Sequence, residues 1–212
     1  MNPVIVSAVW EDELSGEVIK SIISQKKIHI ELYPVFVNSS KTPSGFGYIK
    51  KNLFNFYKSS NDNQRFLLVV DSDNLPCAPA LLESWNVPLD NPHFILQVAV
   101  REIESWILAD IENFLSYFQI PQGLLNKFPA IMDDIPDPKK FLIEIMNHSK
   151  NNQFKRFIIP AVGSSAKVGK AYNFYLIDFI KQKWKYKIAA EHSISLQRFI
   201  KKLDKISKPA KR

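Results

Sequence analysis

The chain has 212 residues, 46% of them hydrophobic and 12% aromatic, and a formal net charge of +7. That length suits one domain with or without an extension, and the apolar share argues against disorder. No apolar run approaches the roughly 18 residues that span a bilayer, Met1-Asn2-Pro3 carries no basic n-region leading to a cleavage site, and the lone Cys77 excludes an internal disulfide or a thiolate-rich zinc site, so a soluble, cytoplasmic protein with no membrane partner is expected.

Val4–Trp10 is apolar and rich in β-branched residues, and is expected to form a buried strand. Residues 11–23 carry Leu14, Val18, Ile22 and Ile19, Ile23 at the spacing of one helix face. A second strand is expected over 28–37, where Ile28, Ile30 and Leu32 alternate with His29, Glu31 and Tyr33. A loop with Pro43, Gly45 and Gly47 leads to an amphipathic stretch over 48–57, and 65–70 is the clearest strand, ending on Asp71-Ser72-Asp73. A proline-rich turn (Pro76, Pro79), a short helix over 80–85 and a fourth strand over 94–100 follow. Beyond Ile103 the pattern turns helical, over 103–118, 137–148, 169–184 and 193–206, with a lysine-rich, frayed tail. The fold class expected is α/β: a mostly parallel sheet of about four strands flanked by helices in an α/β core over 1–118, with a basic, mainly helical extension over 119–212 packed on it.

Charge is divided unevenly. Residues 1–149 hold 12 Lys and Arg against 18 Asp and Glu, whereas 150–212 hold 16 against 3. A basic final third is the electrostatic footprint of a polyanionic partner such as nucleic acid, or a lysine-solubilised helical surface.

In an open parallel sheet, ligands bind outside the carboxyl ends of the strands. Glu11 follows the first strand, and Asp71 and Asp73 follow the third. Alternate residues on an extended segment project to one side, so Asp71-x-Asp73 with Glu11 makes a hard, oxygen-rich site for Mg²⁺ or Mn²⁺. A cap or an Asx turn is the other reading of the two aspartates.

Glu11 after strand one and Asp71-Ser72-Asp73 after strand three resemble the Toprim arrangement of primases, topoisomerases and old-type nucleases. The Arg101-Glu-Ile-Glu-Ser-Trp-Ile-Leu-Ala-Asp110, Lys167-Val-Gly-Lys-Ala-Tyr-Asn173 and His192-Ser-Ile-Ser-Leu-Gln-Arg198 segments are similar to motifs of the Toprim-related domain-of-unknown-function family numbered 4276. Asp12 stands where Toprim proteins usually carry a glycine. The resemblance implies a Toprim-like fold and a metal-dependent phosphodiesterase or nuclease acting on DNA or RNA, in phage defence, with Glu11, Asp71 and Asp73 catalytic. It equally admits a non-catalytic module that binds nucleic acid or a separate ATPase subunit.

Glu104 is a further candidate ligand on the same rim, or the local ion-pair partner of Arg101, while Glu102 is expected to face solvent. Trp106, Ile107 and Ala109 read as core, and Asp110 could equally cap the helix that begins near Ile111. Lys167, Lys170 and Arg198 are the basic residues expected near a phosphate backbone, with Gly163-Ser164-Ser165 and Gly169 supplying backbone N–H groups to an anion. A Walker A loop is absent. Ser193 reads as a helix cap, and His29, His93, His148 and His192 show no zinc spacing.

Overall fold

Four strands, β1 (Val4–Trp10), β2 (Ile30–Pro34), β3 (Arg65–Asp71) and β4 (Phe94–Ala99), pair in parallel in the order β2-β1-β3-β4. The computed structural model describes residues 3–35, 46–72, 78–86, 88 and 90–207. Phe36, Val37, Pro43, Gly45, Asp73, Pro76, Cys77 and the lysine-rich tail after Ser207 lie outside the described residues. The architecture is α/β with flanking and C-terminal helices, consistent with a Toprim-like fold.

Every residue of β3 is buried, as a central strand covered on both faces requires. Its side chains alternate between two cores. Leu67 and Val69 join the larger cluster with α1 (Glu13–Lys26), whereas Phe66, Leu68 and Val70 join the smaller one with α2 (Phe46–Ser59) and α3 (Ala78–Trp85). By the same period of two, Asp71 falls on the side of the larger cluster. Asp12 takes the N-cap of α1, accepting from the Ser15 N–H and hydroxyl at 2.8 Å each, so the residue after Glu11 serves the helix.

The helical stretch expected over 103–118 is two helices, α4 (Ile103–Leu108) and α5 (Ile111–Tyr117). Asp110, at the break, makes no side-chain cap bond to α5. Its carboxylate instead accepts from the Lys185 N–H at 2.6 Å and from the Asn113 amide, tying the junction to a segment 75 residues away. Two 3-10 turns (Gln122–Lys127, Met132–Asp134) precede α6 (Pro138–Met146). Then come α7 (Asn152–Ile158), α8 (Tyr172–Gln182), α9 (Tyr186–Glu191) and α10 (Ile194–Ile206). The patterns over 137–148 and 193–206 match α6 and α10; α7 and α9 were not expected, and α8 starts three residues after Gly169.

One apolar cluster joins α1 and β1 to α8 and α10. At its centre the fully buried Trp106 stacks on Phe199 (ring centroids 5.3 Å apart) and donates its indole N–H to the Ser195 hydroxyl, while its carbonyl accepts from Trp184. The carbonyls of His93 and Ala99 accept from Phe66 and Ser72, so that of Leu96, three residues from each, points to the open edge of β4. Lys202 donates to it at 2.8 Å, and α10 thereby covers that edge. The Arg65 guanidinium binds the Ile206 carbonyl at the other end of α10. Ser193 caps α10 as expected, accepting from Leu196. No helix among the described residues is long and apolar enough to cross a membrane.

Gly169 lies where the chain turns into α8. A Cβ there would stand 2.3 Å from the Phe157 carbonyl oxygen and 2.7 Å from the Ile158 carbonyl carbon, both backbone atoms that cannot rotate away. Its N–H donates to Ile158, so it is a packing glycine and its N–H is committed. Gly169→Ala is expected to cost about 2–4 kcal/mol, read as a drop of roughly 5–15 °C in thermal midpoint.

Candidate functional site

Strand order places the site. The chain leaves β1 towards β2 on one side and β3 towards β4 on the other, so the carboxyl ends of β1 and β3 flank a topological switch point. Glu11 and Asp71 stand at those two ends. The Glu11 carboxylate accepts from the Asp71 N–H at 3.1 Å, so Glu11 turns towards its expected partner. Asp73 lies outside the described residues.

Glu104, on the first turn of α4, is the second buried carboxyl here, 1% exposed against 7% for Asp71. It accepts from the Tyr172 hydroxyl at 3.0 Å and lies 3.4 Å from the Lys139 ammonium. Its partners come from α8 and α6, so the alternative of a local ion pair with Arg101 does not form, and Glu104 stays a candidate ligand on this rim. Glu102 is corrected, because it is engaged rather than solvent-facing. It accepts from the Lys139 N–H at 2.9 Å and ammonium at 3.2 Å, at the N-terminus of α6. Asp137, the N-cap of α6, accepts from the Lys140 N–H at 2.8 Å.

Electrostatics identify this as a crowded anionic centre. Burial pushes the Asp71 carboxyl well above its ordinary value, and the charges of Glu104, Glu11 and Asp12 push it further. Burial raises Glu104 to about 7 against the opposing pull of Lys139. Burial alone would lower Lys139, but Glu104 and Glu102 hold it above its ordinary value. Three oxygens on this rim, Asp71 Oδ1, Ser72 Oγ and Glu104 Oε2, are buried with no hydrogen-bond partner among the described residues. Buried polar atoms in folded proteins are nearly always satisfied, so such a group marks a place where a ligand, ion or water belongs. Among the described residues, however, no three carboxylates, histidines or cysteines stand close enough to enclose an ion.

The basic residues are brought to different places. Lys167 lines a cleft of about 400 Å³ together with Arg101, Glu102, Asp137, Lys139 and Lys140. Lys170 is exposed just before α8. Arg198 lies on the exposed face of α10 near Lys202, whose pKa its charge helps to lower after burial, and it is not among the cleft residues. Gly163, at φ +80°, sits in an exposed turn closed by the Ser164 N–H to the Ala161 carbonyl. Lys139 is the residue sequence reasoning missed. Pro138-Lys-Lys140 reads as the solvated start of a helix, and its link to Glu104 spans 35 positions. Comparison with protein-family models, curated proteins and solved structures finds no match to this chain.

Proposed function

We propose that the chain is a metal-dependent phosphodiesterase of Toprim type that acts on nucleic acid. The observation that carries this reading is that two buried carboxyls from separate elements, Asp71 at the carboxyl end of β3 and Glu104 whose charge it feels, each keep an oxygen without a donor among the described residues. A hard divalent ion fits that chemistry, since anionic oxygens are the ligands of Mg²⁺ and Mn²⁺, and adjacent buried carboxylates are costly unless a cation offsets them. Asp71 and Glu104 would each offer the ion one oxygen, with Asp73 the remaining member of the expected set and Glu11 beside them, since no three described carboxylates by themselves enclose an ion. When bound, it neutralises a phosphodiester and stabilises charge on the leaving oxygen. Tyr172 fixes the Glu104 carboxyl through Oε1 and leaves Oε2 as the oxygen for a ligand. Lys139 restrains Glu102 and Glu104 together. Glu11, steadied by the Asp71 N–H, is the group to accept a proton from an attacking water.

Titrating Mn²⁺ by electron paramagnetic resonance, then incubating end-labelled DNA and RNA with Mn²⁺ or EDTA, tests this reading. Saturable Mn²⁺ binding and cleavage abolished by EDTA are expected, and absence of Mn²⁺ binding would sink the reading. The Lys139 ammonium, which already pairs with Glu102 and Glu104, favours a second one: a non-catalytic nucleic-acid-binding module whose carboxylates are neutralised internally. Salt-dependent nucleic-acid binding without product strands would select it.

A further inference from the structure

The cleft beside Glu102 and Glu104 has a composition that the carboxylate centre does not account for. Four cations line it, from three separated stretches: Arg101 after β4, Lys139 and Lys140 on α6, and Lys167 before α8. Both of its carboxylates are engaged, Glu102 by Lys139 and Asp137 by the Lys140 N–H. Lys139 is held by Glu102 and Glu104, whereas Arg101, Lys140 and Lys167 have no ion-pair partner among the described residues. Like charges gathered around one concavity repel one another and focus a positive field into it, and an anion relieves both effects. Arg101 is half-buried and lines the cleft, and its guanidinium is a planar fork suited to two phosphate oxygens. The volume narrows the ligand. About 400 Å³ is the scale of one small molecule, whereas a duplex keeps its phosphates on the outside of a wide cylinder and cannot enter.

We propose that this cleft is a phosphomonoester pocket that receives the terminal phosphate of a single nucleic-acid strand, with Arg101 and Lys167 as its recognition residues. The proposal rests on the phosphodiesterase reading in one respect. Lys139 belongs both to the cleft and to the Glu104 centre, so a strand anchored by its terminal phosphate leads its next phosphodiester towards Asp71 and Glu104. Cleavage is then directed to strand ends.

The test separates the two ideas by running its binding arm in EDTA. Calorimetric titrations compare a 5′- or 3′-phosphorylated dinucleotide, the same dinucleotide without the terminal phosphate, and inorganic phosphate, with wild type, Arg101→Gln, Arg101→Lys and Lys167→Gln. One phosphorylated form is expected to bind at least about tenfold more tightly than the unphosphorylated form, and Arg101→Gln to erase roughly that factor. Arg101→Lys restores only part of it, because an ammonium lacks the fork. Equal affinity with and without the terminal phosphate, or an Arg101→Gln variant that binds like wild type, overturns the pocket. Inorganic phosphate binding as tightly as the dinucleotide overturns the strand-end assignment. Phosphate preference in EDTA without any Mn²⁺-dependent cleavage keeps the pocket and removes the phosphodiesterase reading. Cleavage indifferent to a terminal phosphate does the reverse.

Discussion

Asp71→Asn is expected to lower Mn²⁺-dependent cleavage by on the order of 10²–10³-fold or more, the loss typical when a preorganised charge at a reacting centre is removed, and to raise the melting point of the metal-free protein. The two effects have one cause. Asp71 is buried near Glu104, Glu11 and Asp12, and without a metal ion its ionised form is disfavoured by burial and by all three neighbours, against a smaller opposing pull from Lys139. An amide of the same shape removes the charge that burial and the carboxylates of Glu104, Glu11 and Asp12 disfavour. Removing a disfavoured buried charge is worth about 1–3 kcal/mol, or about 2–4 °C per kcal/mol in a chain of this size. The sign depends on pH. A carboxyl whose folded pKa is raised stabilises the fold while protonated and loses that contribution as pH rises through the folded value, so the gain in Asp71→Asn should grow from acid to neutral pH. Thermal melts in EDTA at several pH values check the stability arm, and cleavage in Mn²⁺ the other. Wild-type cleavage by this variant would remove Asp71 from the reacting centre. A variant less stable than wild type in EDTA at pH 8 would show that the charge is compensated in the apo protein.

What local pattern could reveal, and what it could not, divides along chain distance. β3 was legible because a strand covered on both faces must be apolar almost throughout, and 66–70 is; β1 was legible from its apolar run too, but only Val6, Ala8 and Val9 of it are buried and Ile5 is exposed. Placing Glu11 and Asp71 beside each other needed only that β1 and β3 be neighbours, and they are. The break between α4 and α5 was not legible, because the helical periodicity runs through Asp110 and the partner that claims its carboxylate is Lys185. The solvent-facing reading of Glu102 and the Arg101 alternative for Glu104 failed for the same reason. On a helix, Arg101 is the obvious neighbour of Glu104, but Tyr172 is 68 positions away and reaches it through the tertiary fold. β2 ran shorter at its start than alternation suggested because Lys27, at φ 52°, closes α1 in a left-handed conformation and the strand pairs only from Ile30.

Those long-range partners make Glu104 the most informative residue for a pH experiment. Its carboxyl is raised to about 7, with burial the largest cause. The folded chain therefore holds a proton that the unfolded chain releases near its ordinary value of 4.5. Stability contributed by that proton is complete below pH 4.5 and is lost as pH rises to about 7, a loss on the order of 3 kcal/mol at 1.36 kcal/mol per unit for a fully buried group. Glu104→Gln keeps the shape and an acceptor for the Tyr172 hydroxyl, leaves Lys139 paired with Glu102, and cannot titrate. In EDTA the difference in unfolding free energy between variant and wild type should be near constant below pH 4.5, then shift in the variant's favour up to about pH 7 and level off. Working with the difference removes the histidines and surface carboxyls that titrate in both proteins. Adding Mn²⁺ should reverse the order at pH 8, because an ion that binds only the folded, ionised site stabilises it by mass action, and the glutamine variant has lost one anionic ligand. A pH-independent difference would mean that Lys139 alone keeps Glu104 ionised, which would leave Mn²⁺ little to gain there. A reversal without the pH step would put the ion on Glu11 and Asp71 while Glu104 serves only to orient Lys139 and Tyr172.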